Sequence, residues 1–187
     1  MKLCGVIGPI DNTTDFAKLW SGTQYSIDMH QGIYEATHIM TPKLSGEHLV
    51  KASDEHTEVC LSFIKGFVTD CFPKENEVSE RAREIVERNI AAGRMYLLLN
   101  SDSEPVSIAA NVRESKNAST ISLIYTPPEY RSRGYGSKVT ALLSDLILKD
   151  NKLMCNLFTD LRNPTSNSIY QKIGYKKIGE GLHISFN

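Results

Sequence analysis

The alternation of apolar and polar positions divides the chain into a patternless beginning and an ordered remainder. Residues 1–45 mix short apolar pieces with Gly5, Gly8, Pro9, Gly22, Gly32 and Pro42 and hold no sustained period, which predicts an arm or the remnant of a preceding domain. From Glu47 the pattern sharpens. Leu49 and Val50 predict a short strand, and Ser53 and Asp54 suit a helix N-cap ahead of Val59, Leu61, Phe63, Ile64 and Phe67, in a helix ending near Cys71 to Pro73. A second helix, from about Val78 to Ala92, turns Ile85, Val86 and Ile90 inward and stops at Gly93.

The next stretch changes period. The run from Met95 to Leu99 predicts a buried strand, and Val106, Ile108, Ala110 and Val112 alternate as a half-buried strand does. After a polar hairpin loop at 114–119, a returning strand from Ile121 to Tyr125 is cut by Pro127 and Pro128, which lack the amide a ladder needs. A helix from Gly134 to about Leu148 follows, with Tyr135, Val139, Leu142, Leu143, Leu146 and Ile147 spaced to face the sheet. A strand from Leu153 to Phe158 completes a strand-helix-strand crossover. Asn163 before Pro164 starts a last helix, Gly174 closes it, and Tyr175 to Phe186 supplies the final strand or strands. The order predicts an α/β domain over residues 46–187, a mixed twisted sheet with helices on both faces.

Composition narrows the class without naming a function. A chain of 187 residues with 41% apolar and 23% charged residues fits one soluble globular domain plus an appendage. The net charge of −1 gives no footprint for nucleic acid or an anionic membrane, whereas the local cluster of Arg131, Arg133 and Lys138 suits a small anion. Cys4, Cys60, Cys71 and Cys155 show no CxxC spacing, and Met1-Lys2-Leu3-Cys4 lacks the apolar stretch a secretory signal needs. With no run long enough to span a bilayer, reduced thiols in a cytoplasmic protein are the expectation. The five histidines form no HxH or HExxH group, so no metal site is expected.

The candidate chemistry sits at the proline break. Arg131-Ser132-Arg133-Gly134-Tyr135-Gly136-Ser137 joins a strand to a helix, where glycines let backbone approach a ligand and the helix's free amides favour phosphate. Neither GxGxxG nor GxxxxGK[ST] is present. The pattern Arg131-x-x-Gly134-x-Gly136 resembles the cofactor loop of the GNAT superfamily of N-acetyltransferases, and Asn163-x(6)-Tyr170-x(3)-Gly174-Tyr175 resembles its second signature. The likeness covers residues 46–187. It is closer still to bacterial GNAT proteins reading YTPPEYRxRGY and LFTDLxNPTSNSIYQKIGY, in which such a domain follows a degenerate amino-terminal one. Residues 1–45 would then keep only that domain's tail.

The resemblance implies a GNAT fold, acetyl-CoA as co-substrate, and direct acetyl transfer to a primary amine of a small-molecule or peptide acceptor, on a monomer or homodimer. It implies that acetyl-CoA lies in a splay between strands near Tyr125 and Phe158. Ile124, Tyr125 and Thr126 pair with the pantetheine arm. Arg131, Ser132, Arg133, Gly134, Tyr135, Gly136 and Ser137 hold the pyrophosphate, and Asn163 and Asn167 touch the cofactor. Tyr170 is the implied general acid for the leaving thiolate. Read without the resemblance, Tyr170 is a buried aromatic on an amphipathic helix and Asn163 a helix cap. Asp160, Glu114 and Tyr125 are candidates for the general base, and no spacing chooses among them. Two alternatives stand beside catalysis: a degenerate GNAT module that binds acyl-CoA without turnover, and an unrelated phosphate-ligand domain.

Overall fold

The computed structural model of the protein describes residues 3–72, 76–150 and 152–186. In chain order these residues form β1 (Gly5–Pro9), α1 (Ile10–Ser21), β2 (Tyr25–Ala36), β3 (His48–Lys51), α2 (Thr57–Cys71), α3 (Val78–Ala91), β4 (Met95–Leu99) and β5 (Pro105–Glu114). They continue with β6 (Ala118–Tyr125), α4 (Tyr135–Lys149), β7 (Met154–Asp160), α5 (Pro164–Lys172) and β8 (Lys176–Phe186). Single 3-10 turns stand at Asp54–His56 and Pro128–Tyr130. This is the mixed α/β class that the sequence predicts. Two compact units emerge: Thr37–Cys155, and Met1–Ala36 together with Asn156–Asn187.

In the unit of Thr37–Cys155 the strands lie in the order β6-β5-β4-β3, each neighbouring pair antiparallel. Alternation sorts their side chains to two faces. On one, Met95, Leu97, Ile108, Ala110 and Leu123 meet Cys60, Leu61, Ile64 and Val68 of α2 and Ala82 and Val86 of α3. On the other, Leu98 and Ala109 are fully buried where α4 packs over β4, β5 and β6. Ser53 opens the first helical segment by capping the turn before α2, donating its N–H to His56 Nδ1 at 3.2 Å. Phe72 N–H closes α2 on the Val68 carbonyl at 2.8 Å, and Pro73, the far limit expected for this helix, lies outside the described residues.

One expectation for α4 is corrected. Leu146, expected on the inward face, is 44% exposed, and Leu142 is half-buried, while Thr140 and Ser144 take fully buried positions. Their hydroxyls satisfy themselves within the helix, Thr140 donating to the Gly136 carbonyl at 2.8 Å and Ser144 to the Thr140 carbonyl at 2.6 Å. Burial of these hydroxyls therefore carries little desolvation penalty, and the helix can turn its polar pair toward the strands.

The first turn of α4 is also anchored by charge. Lys138 Nζ lies 2.6 Å from Glu47 Oε1, with the two side chains only 14% and 7% exposed. Glu47 Oε2 accepts the Ser45 N–H at 2.5 Å. Lys138 and that amide hold the Glu47 carboxyl down at about 2, against an ordinary 4.5, despite its burial.

In the other unit the strands lie in the order β1-β8-β2-β7. β8 pairs antiparallel with β1 from Gly5↔Ser185 to Pro9↔Gly181, and with β2 from Tyr25↔Phe186 to Glu35↔Lys176. A small core of Ala17, Leu182 and Ile184 holds α1 against β8, with Val6, Ile10, Tyr25 and Phe186 at its margin. The outer side of α1 carries Phe16 and Trp20, stacked with ring centroids 6.1 Å apart and both near Phe186. Residues 5–36, which show no sustained period in the sequence, thus form β1, α1 and β2, with β2 an interior strand of this unit.

The lack of a period in the sequence of β2 and α1 has a physical origin. Register irregularities between Ile27 and Met29 and between Ile33 and Tyr34 break the alternation of β2. The buried positions at its end are Gly32, Tyr34 and Ala36, while Ile27 faces outward. In α1 the buried residues are Thr13 and Ala17, so the strongest apolar residues do not mark the inner face.

Deletion of residues 1–36 removes the strand between β8 and β7, and cooperative unfolding of residues 156–187 should be lost, as read by hydrogen exchange of β8 amides. Glu47→Gln should destabilise the fold by about 1–3 kcal/mol at neutral pH. Because the folded carboxyl is depressed to about 2 from 4.5, the wild-type advantage should be complete above the higher value. It should fade as pH falls through the lower one, which urea melts across that window would follow.

Candidate functional site

Between the end of β6 and the start of α4 the backbone makes two left-handed steps, at Ser132 with φ +62° and at Gly134 with φ +78°. Gly134 is the residue before α4, and the helical bonding at this end begins with Lys138 N–H donating to the Gly134 carbonyl at 3.1 Å. The amides of Tyr135, Gly136 and Ser137 precede it and have no acceptor within the helix. A Cβ at Gly134 would meet nothing within 4 Å, and one at Gly136 would have only Thr126 Oγ1 near it, at 3.6 Å. The start of α4 is thus a bare, donor-rich surface, and these residues fit a phosphate group.

The basic cluster behaves differently from the expectation that its charges face the anion. Arg131 donates from Nε to the Thr126 carbonyl at 3.0 Å and from NH2 to Asp70 Oδ2 at 2.7 Å, and its guanidinium lies 5.5 Å from the centre of the Tyr125 ring. Lys138 is committed to Glu47. Two of the three cations are therefore engaged by carboxylates, and attraction for an anion falls mainly to the amides and the helix dipole.

The end of β6 is irregular where the resemblance places the cofactor arm. Ser122 is paired with Ala110 and Tyr125 with Ile108, so β6 carries one residue more than β5 between these pairs. Leu123 takes φ +56° there, an uncommon backbone for leucine and the mark of a bulge that re-aims peptide groups. The carbonyl of Tyr125 accepts from Ser107 Oγ at 2.9 Å, and that oxygen also lies 2.9 Å from Thr126 Oγ1. Ile124 is half-buried beside the bulge. Sequence reasoning missed Leu123, Ser107, Asp70 and Glu47. A left-handed leucine has no sequence signature, and the other three are long-range partners.

The three general-base candidates fare poorly. Tyr125 has its phenol pushed above the ordinary value by burial and by Asp70, so almost none is phenolate near neutral pH. Glu114 pairs across from Ser119 at the hairpin end. From Ile108, which pairs with Tyr125, to Glu114 is six residues, roughly 20 Å at about 3.3 Å per residue, and Glu114 is held by Asn111 Nδ2 at 2.6 Å. Asp160 is gripped by Arg162, with NH2 at 2.8 Å and Nε at 3.1 Å, and this pairing lowers its pKa and its strength as a base.

The unit containing α5 carries the second signature. Asn163 Oδ1 caps α5 by accepting the Ser166 N–H at 3.1 Å, the chemistry expected of it as a cap. Asn167 Nδ2 donates to the Asn163 carbonyl at 2.8 Å and the Asp160 carbonyl at 3.2 Å. Its Oδ1 is buried with no hydrogen-bond partner, and the same holds for Asn156 Oδ1 on β7. Tyr170 is 7% exposed and stands edge-on to Tyr34 and Tyr175, with centroids 6.4 and 6.2 Å away. The structure thus brings residues 124–137 together in one unit, and Asp160, Asn163, Asn167 and Tyr170 together in the other. Among the described residues, no group of three His, Cys, Asp or Glu side chains could hold a metal ion.

Comparison with known proteins agrees with this geometry. Residues 98–184 match the FR47-like protein family. An uncharacterized acetyltransferase of Streptococcus pyogenes serotype M1 is 26% identical over 85 residues, which are 46% of this chain and 58% of that protein. A GNAT-family acetyltransferase from Colwellia psychrerythraea superposes with a TM-score of 0.69 at 10% identity, over 100% of this chain and 66% of its own. A GCN5-related N-acetyltransferase from Kribbella flavida gives 0.62 at 19% identity, over 87% of this chain and 60% of its own. The chain spans less than two thirds of the length of each of these relatives, and at such identities the structural likeness is one of fold. The family match falls on the strands, the loop and the second signature, so residues 98–184 are similar to the FR47-like family, and the fold is the one seen in GNAT-family acetyltransferases.

Proposed function

We propose that this protein transfers an acetyl group from acetyl-CoA to a primary amine of a small-molecule or peptide acceptor, by direct attack and without a covalent enzyme intermediate. The observation that carries this reading is the double left-handed turn at Ser132 and Gly134, which leaves the first amides of α4 facing an open surface. Residues 132–137 receive the pyrophosphate and residues 124–126 the pantetheine arm. In the second signature Asn163 is occupied by its cap, while the buried Oδ1 of Asn167 has no hydrogen-bond partner. The neutral amine attacks the thioester carbonyl carbon, the carbon–sulfur bond breaks, the Tyr170 hydroxyl protonates the departing thiolate, and the ammonium proton leaves to water. Water is favoured as the proton's destination because the Tyr125 phenol stays protonated, the Asp160 carboxylate is bound by Arg162, and Glu114 lies at the far hairpin end of β5.

We further propose residues 46–187 as the catalytic domain, with residues 1–45 descended from a preceding degenerate domain whose strand β2 now completes the fold. A reducing cytoplasm and a monomer or homodimer accompany this reading. Burial pushes the thiols of Cys60 and Cys155 up to about 12, which keeps them protonated and inert. No helix among the described residues is long and apolar enough to cross a membrane, and no nucleic-acid partner is invoked.

A second reading, acyl-CoA binding without turnover, is favoured by one observation: Tyr170 is nearly enclosed by Tyr34 and Tyr175, as a core aromatic would be. Tyr170→Phe separates the two, because it deletes the hydroxyl and keeps the ring. Turnover, followed by thiol release with an accepted amine, should fall roughly 10²-fold or more, with acetyl-CoA affinity and melting temperature nearly unchanged. Full activity would remove Tyr170 from the chemistry.

Acetyl-CoA itself should raise the melting temperature as its concentration rises. The loop's part in this is tested at Gly136 rather than at Gly134, where φ +78° makes any side chain strained. Gly136→Ala should stabilise the ligand-free protein by up to about 1 kcal/mol through helix propensity, yet weaken acetyl-CoA binding by placing a methyl on the donor surface. Unchanged affinity in a calorimetric titration would take the loop out of the site.

A further inference from the structure

The segment that ends β6 and the loop after it are seated on one face of α2. Gly66 and Asp70 are four residues apart in that helix, hence one above the other on its surface. At Gly66 the Tyr125 ring comes so close that a Cβ would lie 2.2 Å from its hydroxyl oxygen and 2.5 Å from the carbon bearing it. At Asp70 the carboxylate takes the Arg131 guanidinium at 2.7 Å. Arg131 closes the figure by lying over the Tyr125 ring and donating Nε to the Thr126 carbonyl. Both ends of the stretch from Tyr125 to Arg131 are thus fixed to α2, one by shape and one by charge.

We propose that Gly66 and Asp70 are positioning residues, a two-point seat on α2 that sets the pose of residues 125–137 and thereby the aim of the anion-binding amides. The proposal rests on the acetyl-CoA reading above for its binding arm only. Arg131 acts in it as a brace rather than as a ligand of the anion. Its charge is shared with Asp70, and the two side chains are each 48% exposed, so the pair contributes little to global stability while still fixing a direction. The raised pKa of the Tyr125 phenol, caused first by burial and then by Asp70, agrees with a ring pressed into this seat.

The sign of one substitution distinguishes positioning from simple electrostatics. Asp70→Asn removes a negative charge beside an anion site, and Coulomb's law alone would strengthen acetyl-CoA binding. The seat requires the opposite, an affinity about threefold to tenfold weaker at constant ionic strength, with a melting temperature close to wild type. In the ligand-free protein, amides 131–137 of the variant should exchange with deuterium faster while α2 and β6 keep their protection. Asp70→Glu should recover part of both effects. Gly66→Ala should also weaken binding although alanine favours a helix, and Tyr125→Leu in the same chain should restore it by clearing the ring. Affinity that is unchanged or higher in Asp70→Asn, or exchange of amides 131–137 equal to wild type, overturns the seat. If the wild-type protein binds no acetyl-CoA, the transfer reading fails by itself, and the exchange measurement still decides whether the seat exists.

Discussion

A helix must begin somewhere, and its first amides have no partners of its own to bond. At α4 this unavoidable deficit is turned outward by the left-handed steps at Ser132 and Gly134, so the donors face a surface rather than a cap. Much of the surrounding unit is arranged around keeping that surface bare. Glu47 holds Lys138 within the first turn, Asp70 holds Arg131 to the side, and no side chain crowds Gly134. Two of the basic cluster's three cations are thereby held by carboxylates, so the backbone rather than Arg131 or Lys138 presents donors at this surface. Amide donors fixed in this way need little reorganisation when an anion arrives, the condition under which electrostatic stabilisation is most effective.

The sequence discloses this unit well because its logic is local. Apolar periodicity, the cap at Ser53 and the prolines after Tyr125 act within a few residues of where they are read, and the elements from β3 to α4 lie close to the boundaries they imply. The glycine loop was legible for the same reason. What escaped were features made by partners far apart in the chain. Asp70 and Arg131 are 61 residues apart, Glu47 and Lys138 are 91 apart, and nothing in either neighbourhood points to the other. The bulge at Leu123 was hidden because its backbone is imposed by the paired strand and not by the residue type.

The other unit inverts the lesson. Its early elements were hard to read because burial falls on Gly32, Tyr34, Ala36, Thr13 and Ala17 while Ile27, Leu19 and Trp20 lie outside. Small residues on either side of Tyr34 in β2, and at the inside of α1, carry no strong periodic signal. The second signature, by contrast, was legible at once, since Asn163 and Pro164 start a helix by capping rules that need no tertiary context. Its residue of greatest chemical interest, Tyr170, is legible only as an aromatic. Whether a hydroxyl or a ring is what the site uses depends on surroundings that a linear pattern does not encode.

The stacked pair on the outer side of α1 has an optical consequence. Trp20 is the chain's one tryptophan, and it stands against Phe16 and near Phe186, all three belonging to the same compact unit. Indole emission therefore monitors that unit selectively, whereas Tyr96, Tyr125, Tyr130 and Tyr135 belong to the other. Because Tyr25, Tyr34, Tyr170 and Tyr175 share the tryptophan's unit, a denaturation followed by indole emission views one half alone while the tyrosine signal sums over both, and any gap between the two curves reads how cooperatively the halves melt.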